Sequence, residues 1–500
     1  MARTPRTPPV DQPPPAQPAA QTVESFARVN LPRRSMGLKL LLVCALALLM
    51  SIPALFVFGL LMDRSNRAES VAAEIGDMMG GPQTFLGPVI AIPYSRPADI
   101  ADAGPAGAAV ASTRPPVNRT NDVWYVFPTR GKVDVATDSE VRKRSLFRVT
   151  VYEATVGYTA RFDLANVGAE LPRGAVLDWS RAELLLGASD ARGARADLRL
   201  TLAGRTVALT PSNLVGSVRL NDGPSENGRR NYRGDGETRE LQLFSTPLTE
   251  ADRATGALDV AGRATFSGAQ RVAVVAFAGT TEAAIKGDWP HPSYNGGFLP
   301  ARQETPANGF DASWSVPFIA RGIPVEGGSD ALARLGATEL GVSFVEPANP
   351  YQSVSRSLKY APMFIGLVFL AYFLFETTTG RRVHPAQYIL VGMAQVIFYM
   401  LLLSVAEHTG FDLAFLLAAA ATVGLISAYA GWTFDSRRQG VRALVAFTFL
   451  YGLIYMLMRL EDYALLVGAL SSFAAIAAVM YFTRKVDWYG VTGTGAKDIA

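Results

Sequence analysis

The chain is short of the residues that most enzymes and metal proteins use for chemistry. It has one cysteine, Cys44, and three histidines, His291, His384 and His408. A zinc site built from His and Cys needs several ligands close together, so that class is excluded. Cys44 lies inside a hydrophobic run, which leaves the rest of the chain without disulfides and any exported part dependent on its own apolar core. A Ser-His-Asp triad in the middle of the chain would have to use His291, and no Gly-x-Ser-x-Gly elbow accompanies it. No Gly-x-x-x-x-Gly-Lys-Ser/Thr run and no Gly-x-Gly-x-x-Gly after a strand is present, so no nucleotide cofactor is expected. Clusters of Lys and Arg with interleaved aromatics are missing from the soluble segment, which removes nucleic acid as a partner. The net charge of +4 is explained by basic residues at the ends of apolar runs. Asp and Glu are plentiful enough for a glycan-acting carboxylate pair, but nothing picks one out. The chain is therefore read as non-enzymatic, with no metal and no cofactor.

What the chain has in quantity is apolar length. Runs able to cross a bilayer as helices cover Leu40–Met62, then Tyr360–Phe375, Tyr388–Val405, Phe411–Trp432, Ala443–Met458 and Ala464–Phe482. A hydrocarbon core ~30 Å thick needs about 20 such residues. The first run is too long for a signal-peptide core, and Leu61-Met62-Asp63-Arg64 follows it in place of a cleavage site, so it reads as an uncleaved signal-anchor. Pro53 is a candidate kink within it. Arg28, Arg33, Arg34 and Lys39 precede the first span. Arg381 and Arg382 join spans two and three, Arg437, Arg438 and Arg442 join four and five, and Arg484 and Lys485 follow six. This bias places both termini in the cytoplasm and the large insertion in the periplasm. The expectation is a polytopic α-helical membrane protein of six spans, one plus five, with a large inserted β-rich periplasmic domain. Its parts are a disordered Pro-rich cytoplasmic arm (1–34), the signal-anchor helix (35–62), the periplasmic domain (63–357), the five-helix block (358–483) and a short cytoplasmic tail (484–500). Membrane lipids are expected partners, together with envelope proteins or glycans.

Within the insertion, Val71, Ile75 and Met78 suit a helix continuing out of the first span, ended by Gly80-Gly81-Pro82. Val123–Phe127, Arg271–Phe277 and Leu340–Val345 read as strands, and Leu198–Leu209 reads as a hairpin turning at Gly204-Arg205. Phe147, Val149 and Val151 alternate in one phase and Val156, Tyr158, Ala160 and Phe162 in the other. That change of parity predicts a bulge or turn near Glu153. Residues 221–238 read as an exposed loop. Many strands punctuated by Gly and Pro argue for a β-sandwich or barrel-like domain rather than an α/β fold.

Several short runs stand out in order. They are Gly80-Gly81-Pro82-Gln83-Thr84, Gly87–Tyr94, Trp289–Pro300, Phe373–Glu376, His384–Tyr388, Ser404–His408, Glu461–Gly468 and Thr483–Tyr489. Together they resemble the CreD family of bacterial inner-membrane proteins, described as cell envelope integrity proteins. The resemblance covers about residues 35–489. Met79 departs from it, standing where the family pattern has Trp. The resemblance implies envelope maintenance in Gram-negative bacteria and supplies no catalytic mechanism.

Two groups of candidate functional residues follow. Glu407, His408, Asp412, Glu461 and Asp462 fall at the periplasmic ends of spans, either as a converging set for a proton- or ion-coupled step or as hydrated loop tips. Trp289, His291 and Tyr294 lie on a Pro/Gly-rich run, either a stacking surface for a glycan or lipid headgroup or a corner packed on the domain's own core. Glu376, beside Arg381 and Arg382, reads as a helix-end ion pair. Gln395 reads as an interhelical hydrogen bonder, Gly424 with Ala428 and Gly468 with Ser472 as close-packing pairs, and Tyr388, Trp432, Tyr463, Tyr481, Trp488 and Tyr489 as an interfacial aromatic belt. The alternatives to a binding and organising role are a transporter or flippase, and a glycan-acting enzyme.

Overall fold

A computed structural model of the chain describes residues 36–96, 120–144, 147–221, 239–346, 350–380, 383–459 and 464–484. The Pro-rich arm, most of the 221–238 run, Arg381, Arg382, Glu461, Asp462, Tyr463 and the tail beyond 484 lie outside the described residues. Two units emerge: Met62–Tyr351, and Met1–Leu61 together with Gln352–Ala500.

The second unit is helical. Its principal helices are α1 (Met36–Met78, shared with the first unit), α2 (Ala361–Thr379), α3 (Pro385–Thr409), α4 (Phe411–Thr433), α5 (Arg437–Arg459) and α6 (Ala464–Thr483). Five are long and apolar enough to cross a membrane, and a shorter apolar stretch, Leu466–Tyr481, lies in α6. α1 runs uninterrupted through Pro53. Inside the block aromatic rings interlock: Phe398 meets Tyr451 at 4.9 Å and Phe364 meets Tyr451 at 4.8 Å between ring centres. Leu390, Leu416, Leu425, Phe449 and Phe473 point outward and exposed, the surface a lipid environment accepts. Trp432 and Tyr481 are exposed too, but Tyr388 is buried and does not belong to an interfacial belt. Gly424 and Ala428 are exposed, with nothing near enough to Gly424 to touch a Cβ there. Among the described residues, no helix packs onto the small-residue spacing at 424 and 428. The close approach lies instead at Gly431 and Gly440, where α4 and α5 turn back on each other.

The first unit is two β-sheets on one core. Its principal strands are β1 (Gln83–Arg96), β2 (Arg130–Arg144), β3 (Phe147–Asp163), β4 (Ala257–Ala269), β5 (Arg271–Val275), β6 (Thr280–Gly287), β7 (Pro292–Gly296), β8 (Phe310–Val316) and β9 (Glu339–Phe344). An 11-stranded sheet carries β1, β5, β9 and β7 side by side, with β1 and β5 parallel. An eight-stranded sheet runs β8, β6, β2, β3, β4, then the hairpin Arg199–Leu202 and Arg205–Ala208. Both sheets feed one cluster: Phe85, Val89 and Val274 from the first, Val133, Val156 and Phe162 from the second. Phe277 is fully buried between Gly87 and Gly131, where a Cβ on either would come within 2.5 to 2.6 Å of its ring. Only glycine admits that ring.

The predicted bulge near Glu153 is absent. β3 pairs with β2 from Arg130↔Arg161 to Arg144↔Phe147, and with β4 from Ala257↔Asp163 to Ala269↔Val151, without a slip. The parity changes because the cover changes. Tyr152, Ala154, Val156 and Tyr158 face the inter-sheet core. Val149 and Val151, on the other face, are covered with Ala269 by Ala72, Ile75 and Met79 from the end of α1 and the residue after it. α1 stops where expected, with Gly80 at φ 91° and Gly81 at φ 59°.

Candidate functional site

Four of the runs singled out in the sequence, Gly80–Thr84, Trp289–Pro300, Phe373–Glu376 and His384–Tyr388, contribute to two buried polar networks, one in each unit. In the helical block, α2 ends at Gly380 in the left-handed conformation, its N–H on the Glu376 carbonyl. His384 then caps α3: its Nδ1 accepts from the Ala386 N–H at 3.2 Å, and the Gln387 side chain accepts from the His384 N–H at 3.0 Å. With Pro385 as the first helical residue, the His-Pro-Ala-Gln run is a reciprocal cap followed by a pre-set φ. The turn it makes brings the Val383 N–H and Tyr388 hydroxyl to the Glu376 carboxylate, each at 2.9 Å. Lys39 of α1 completes the site, pairing with Glu376 and donating to the Val383 carbonyl at 3.0 Å. Glu376 is 2% exposed, so these donors are what allow a charge to be buried there. Lys39, read from the sequence only as a topology signal, is the partner; Arg381 and Arg382 lie outside the described residues.

At the other end of the helices, Asp412 accepts from Arg459 at 2.5 Å and from the Tyr455 hydroxyl at 3.0 Å, all three at the surface. His408 is exposed, its ring nitrogen 3.1 Å from the Ser404 carbonyl of its own helix, and Glu407 is half-buried. Glu461 and Asp462 lie outside the described residues. Gln395, expected to bond across helices, is fully buried, and neither amide atom has a partner among the described residues.

In the β domain the network crosses four adjacent strands. Thr84 on β1 donates to Glu339 on β9 at 2.6 Å. Arg271 on β5 clasps the same carboxylate with both terminal nitrogens, each at 2.9 Å. Its Nε reaches Asn295 on β7 at 2.8 Å, and Asn295 donates to Ser343 at 2.7 Å. Tyr152, from the facing sheet, donates to the Arg271 carbonyl at 2.6 Å. Burial drives the Tyr152 phenol far above its ordinary pKa, against smaller lowering contributions from the Gln83 backbone and the Arg271 charge, so it remains a donor. A planar fork on a carboxylate is the strongest of these links. Trp289 donates from Nε1 to Val345 at 3.1 Å and its ring meets Phe344 edge-on. Tyr294 meets Trp314 edge-on, its hydroxyl buried, while His291 is exposed. Trp289 and Tyr294 are thus packed on the domain's core.

A third feature was invisible to sequence reading. On the outer face of the eight-stranded sheet lies an open cup of about 640 Å³, lined by Arg130, Lys132, Arg161, Asp259 and Glu282. Arg130 and Arg161 are direct cross-strand neighbours. Like charges so placed destabilise a sheet, and Asp259, 3.5 Å from Arg161, offsets only part of that.

An apolar helical block with an aliphatic outer surface, and a two-sheet domain inserted between its first and second apolar helices, define a membrane protein carrying a large β-rich domain. The chain belongs to the CreD family: the family described as "Inner membrane protein CreD" matches residues 35–489. The Inner membrane protein CreD of Escherichia coli (strain K12) is 27% identical over 445 residues, covering 88% of this chain and 91% of that protein. The chain is accordingly a multi-pass inner-membrane protein.

Proposed function

We propose that this protein supports cell-envelope integrity by holding anionic groups of envelope lipids or glycans on the outer cup of its β domain. The protein crosses the membrane six times with both termini in the cytoplasm and the β domain in the periplasm. Lys39, Arg437, Arg438, Arg442 and Arg484 at one set of helix ends support that orientation. The observation that carries the functional reading is the Arg130–Arg161 pair. Two cations opposed in one ladder on an open, polar face are stabilised by a bound anion and by little else on the free surface. The activity is binding rather than catalysis.

The test is a deletion strain challenged with detergents and envelope-targeting agents. The wild-type gene restores resistance, and Arg130→Glu with Arg161→Glu, expressed at the same level, does not. A deletion strain of unchanged sensitivity refutes the envelope role, and full rescue by the charge-reversed variant refutes the cup. A second reading, transport through the helical block, draws its support from the polar side chains buried there.

A further inference from the structure

Two helical glycines, Gly424 of α4 and Gly452 of α5, stand where a Cβ would meet nothing. Glycine inside a helix costs stability relative to alanine, and neither position needs it to let another helix approach. What the two share is a groove of about 800 Å³ between α4 and α5. Its walls are mainly apolar and face the lipid: Leu413, Leu416 and Leu444 line it and are all exposed. The missing side chains at Gly424 and Gly452 deepen it.

Charge along the groove is one-sided. Of the described residues that line it only Asp412, in the first turn of α4, is charged; Thr448, Tyr451 and Tyr455 add hydroxyls. At that end Asp412 accepts from the Tyr455 hydroxyl and from Arg459, the last residue of α5. The Asp412 and Arg459 side chains are still 56% and 58% exposed, so each offers its charge to a further partner. From Asp412 to Gly424 the helix rises about 18 Å at ~1.5 Å per residue. That is close to half of a hydrocarbon core ~30 Å thick. The groove thus runs from a charged mouth to about the depth at which one leaflet ends.

We propose that this groove is a lipid site: it holds one acyl chain of a zwitterionic phospholipid whose headgroup sits on the Asp412–Arg459 pair. The phosphate meets the Arg459 guanidinium and the ammonium meets the Asp412 carboxylate, each a charge-assisted contact. An anionic headgroup satisfies Arg459 but sets its charge against Asp412. A spanning helix of a second copy is apolar through the whole ~30 Å core, whereas this groove covers about half that depth and ends on two charges. The site is separate from the cup, which lies on the β domain and needs the helical block only as an anchor.

The experiment is native mass spectrometry of the full-length protein taken from bilayers of equal phosphatidylethanolamine and phosphatidylglycerol. The parent is expected to retain one phosphatidylethanolamine at collision energies that strip other lipids, with a several-fold preference over phosphatidylglycerol. Gly424→Leu with Gly452→Leu fills the groove and should lower that retention several-fold. Because a Cβ at either glycine meets open space, the double variant should keep the helical circular dichroism of the parent, which separates loss of lipid from loss of fold. Asp412→Asn, at the exposed mouth, should bring the two lipids to parity. Arg130→Glu with Arg161→Glu, in the cup, should retain the lipid as the parent does. Undiminished retention by the filled groove, equal retention of both lipids by the parent, or loss of the lipid on reversing the cup charges overturns the proposal. So does a dimer of the parent that the filled groove splits, since a second copy then occupies the site.

Discussion

The clasp of Arg271 on Glu339 makes a quantitative prediction. The two side chains are 13% and 9% exposed and joined by two parallel contacts of 2.9 Å. Arg271→Met keeps most of the apolar stem but leaves Glu339 buried without its cation, and removes the donor to Asn295. Breaking a buried pair on one side costs about 3–5 kcal/mol. At about 2–4 °C per kcal/mol for a large domain, the midpoint should fall by on the order of 10 °C. Glu339→Gln keeps the shape and removes the charge, so Arg271→Met with Glu339→Gln should recover roughly 1–3 kcal/mol relative to the sum of the singles. Thermal unfolding of the full-length protein in detergent, followed by β-sheet circular dichroism, supplies all four corners of the cycle. A single-variant midpoint within about 2 °C of the parent, or a strictly additive double variant, refutes the reasoning.

Glu376→Ala should destabilise the helical block by about 3–5 kcal/mol, and Glu376→Gln by less, because Lys39 loses its counter-charge in both but keeps an acceptor in the second; loss of folded protein in detergent reads this, and parent-like stability of both variants argues against a charged contact. Asp252 in the β domain is buried, which raises its pKa, but the Thr249 hydroxyl and N–H and the Arg205 charge hold it below the ordinary value overall. Its contribution to stability is therefore present above the ordinary carboxylate pKa and lost as the pH falls through the folded value, so Asp252→Asn should flatten the loss of stability below about pH 4. Gly440→Leu should separate α4 from α5, since a Cβ at Gly440 already comes 3.3 Å from the Gly431 Cα; overpacking of about 1–3 kcal/mol is expected in the melting of the helical block.

Much of the architecture is visible in apolar length and punctuation. The helices, the stop at Gly80-Gly81 and the strand over Arg271–Val275 each follow from short-range rules, and the hairpin does too, though its turn falls on Ala203-Gly204, one residue before the Gly204-Arg205 expected. The failures share a cause. Alternation at Phe147–Phe162 reports which face is covered, and two covers, the facing sheet and the end of α1, imitate a slip in register. The spacing of Gly424 and Ala428 permits close packing but does not say whether a helix lies on that face. Lys39 and Glu376 stand 337 positions apart, and Arg130 meets Arg161 only through the ladder between β2 and β3, so neither pairing has a local signature. Gln395 looked like half of a hydrogen bond, and the structure holds no protein group for the other half among the described residues.

The order of Glu376's donors along the chain bears on how the protein is made. Lys39 leaves the ribosome long before Glu376, and Val383 and Tyr388 follow it by 7 and 12 residues. The carboxylate is therefore fully engaged before α4, α5 and α6 have been synthesised. Since N-terminal segments assemble first during synthesis, the contacts of Glu376 are expected to close before the last three helices pack.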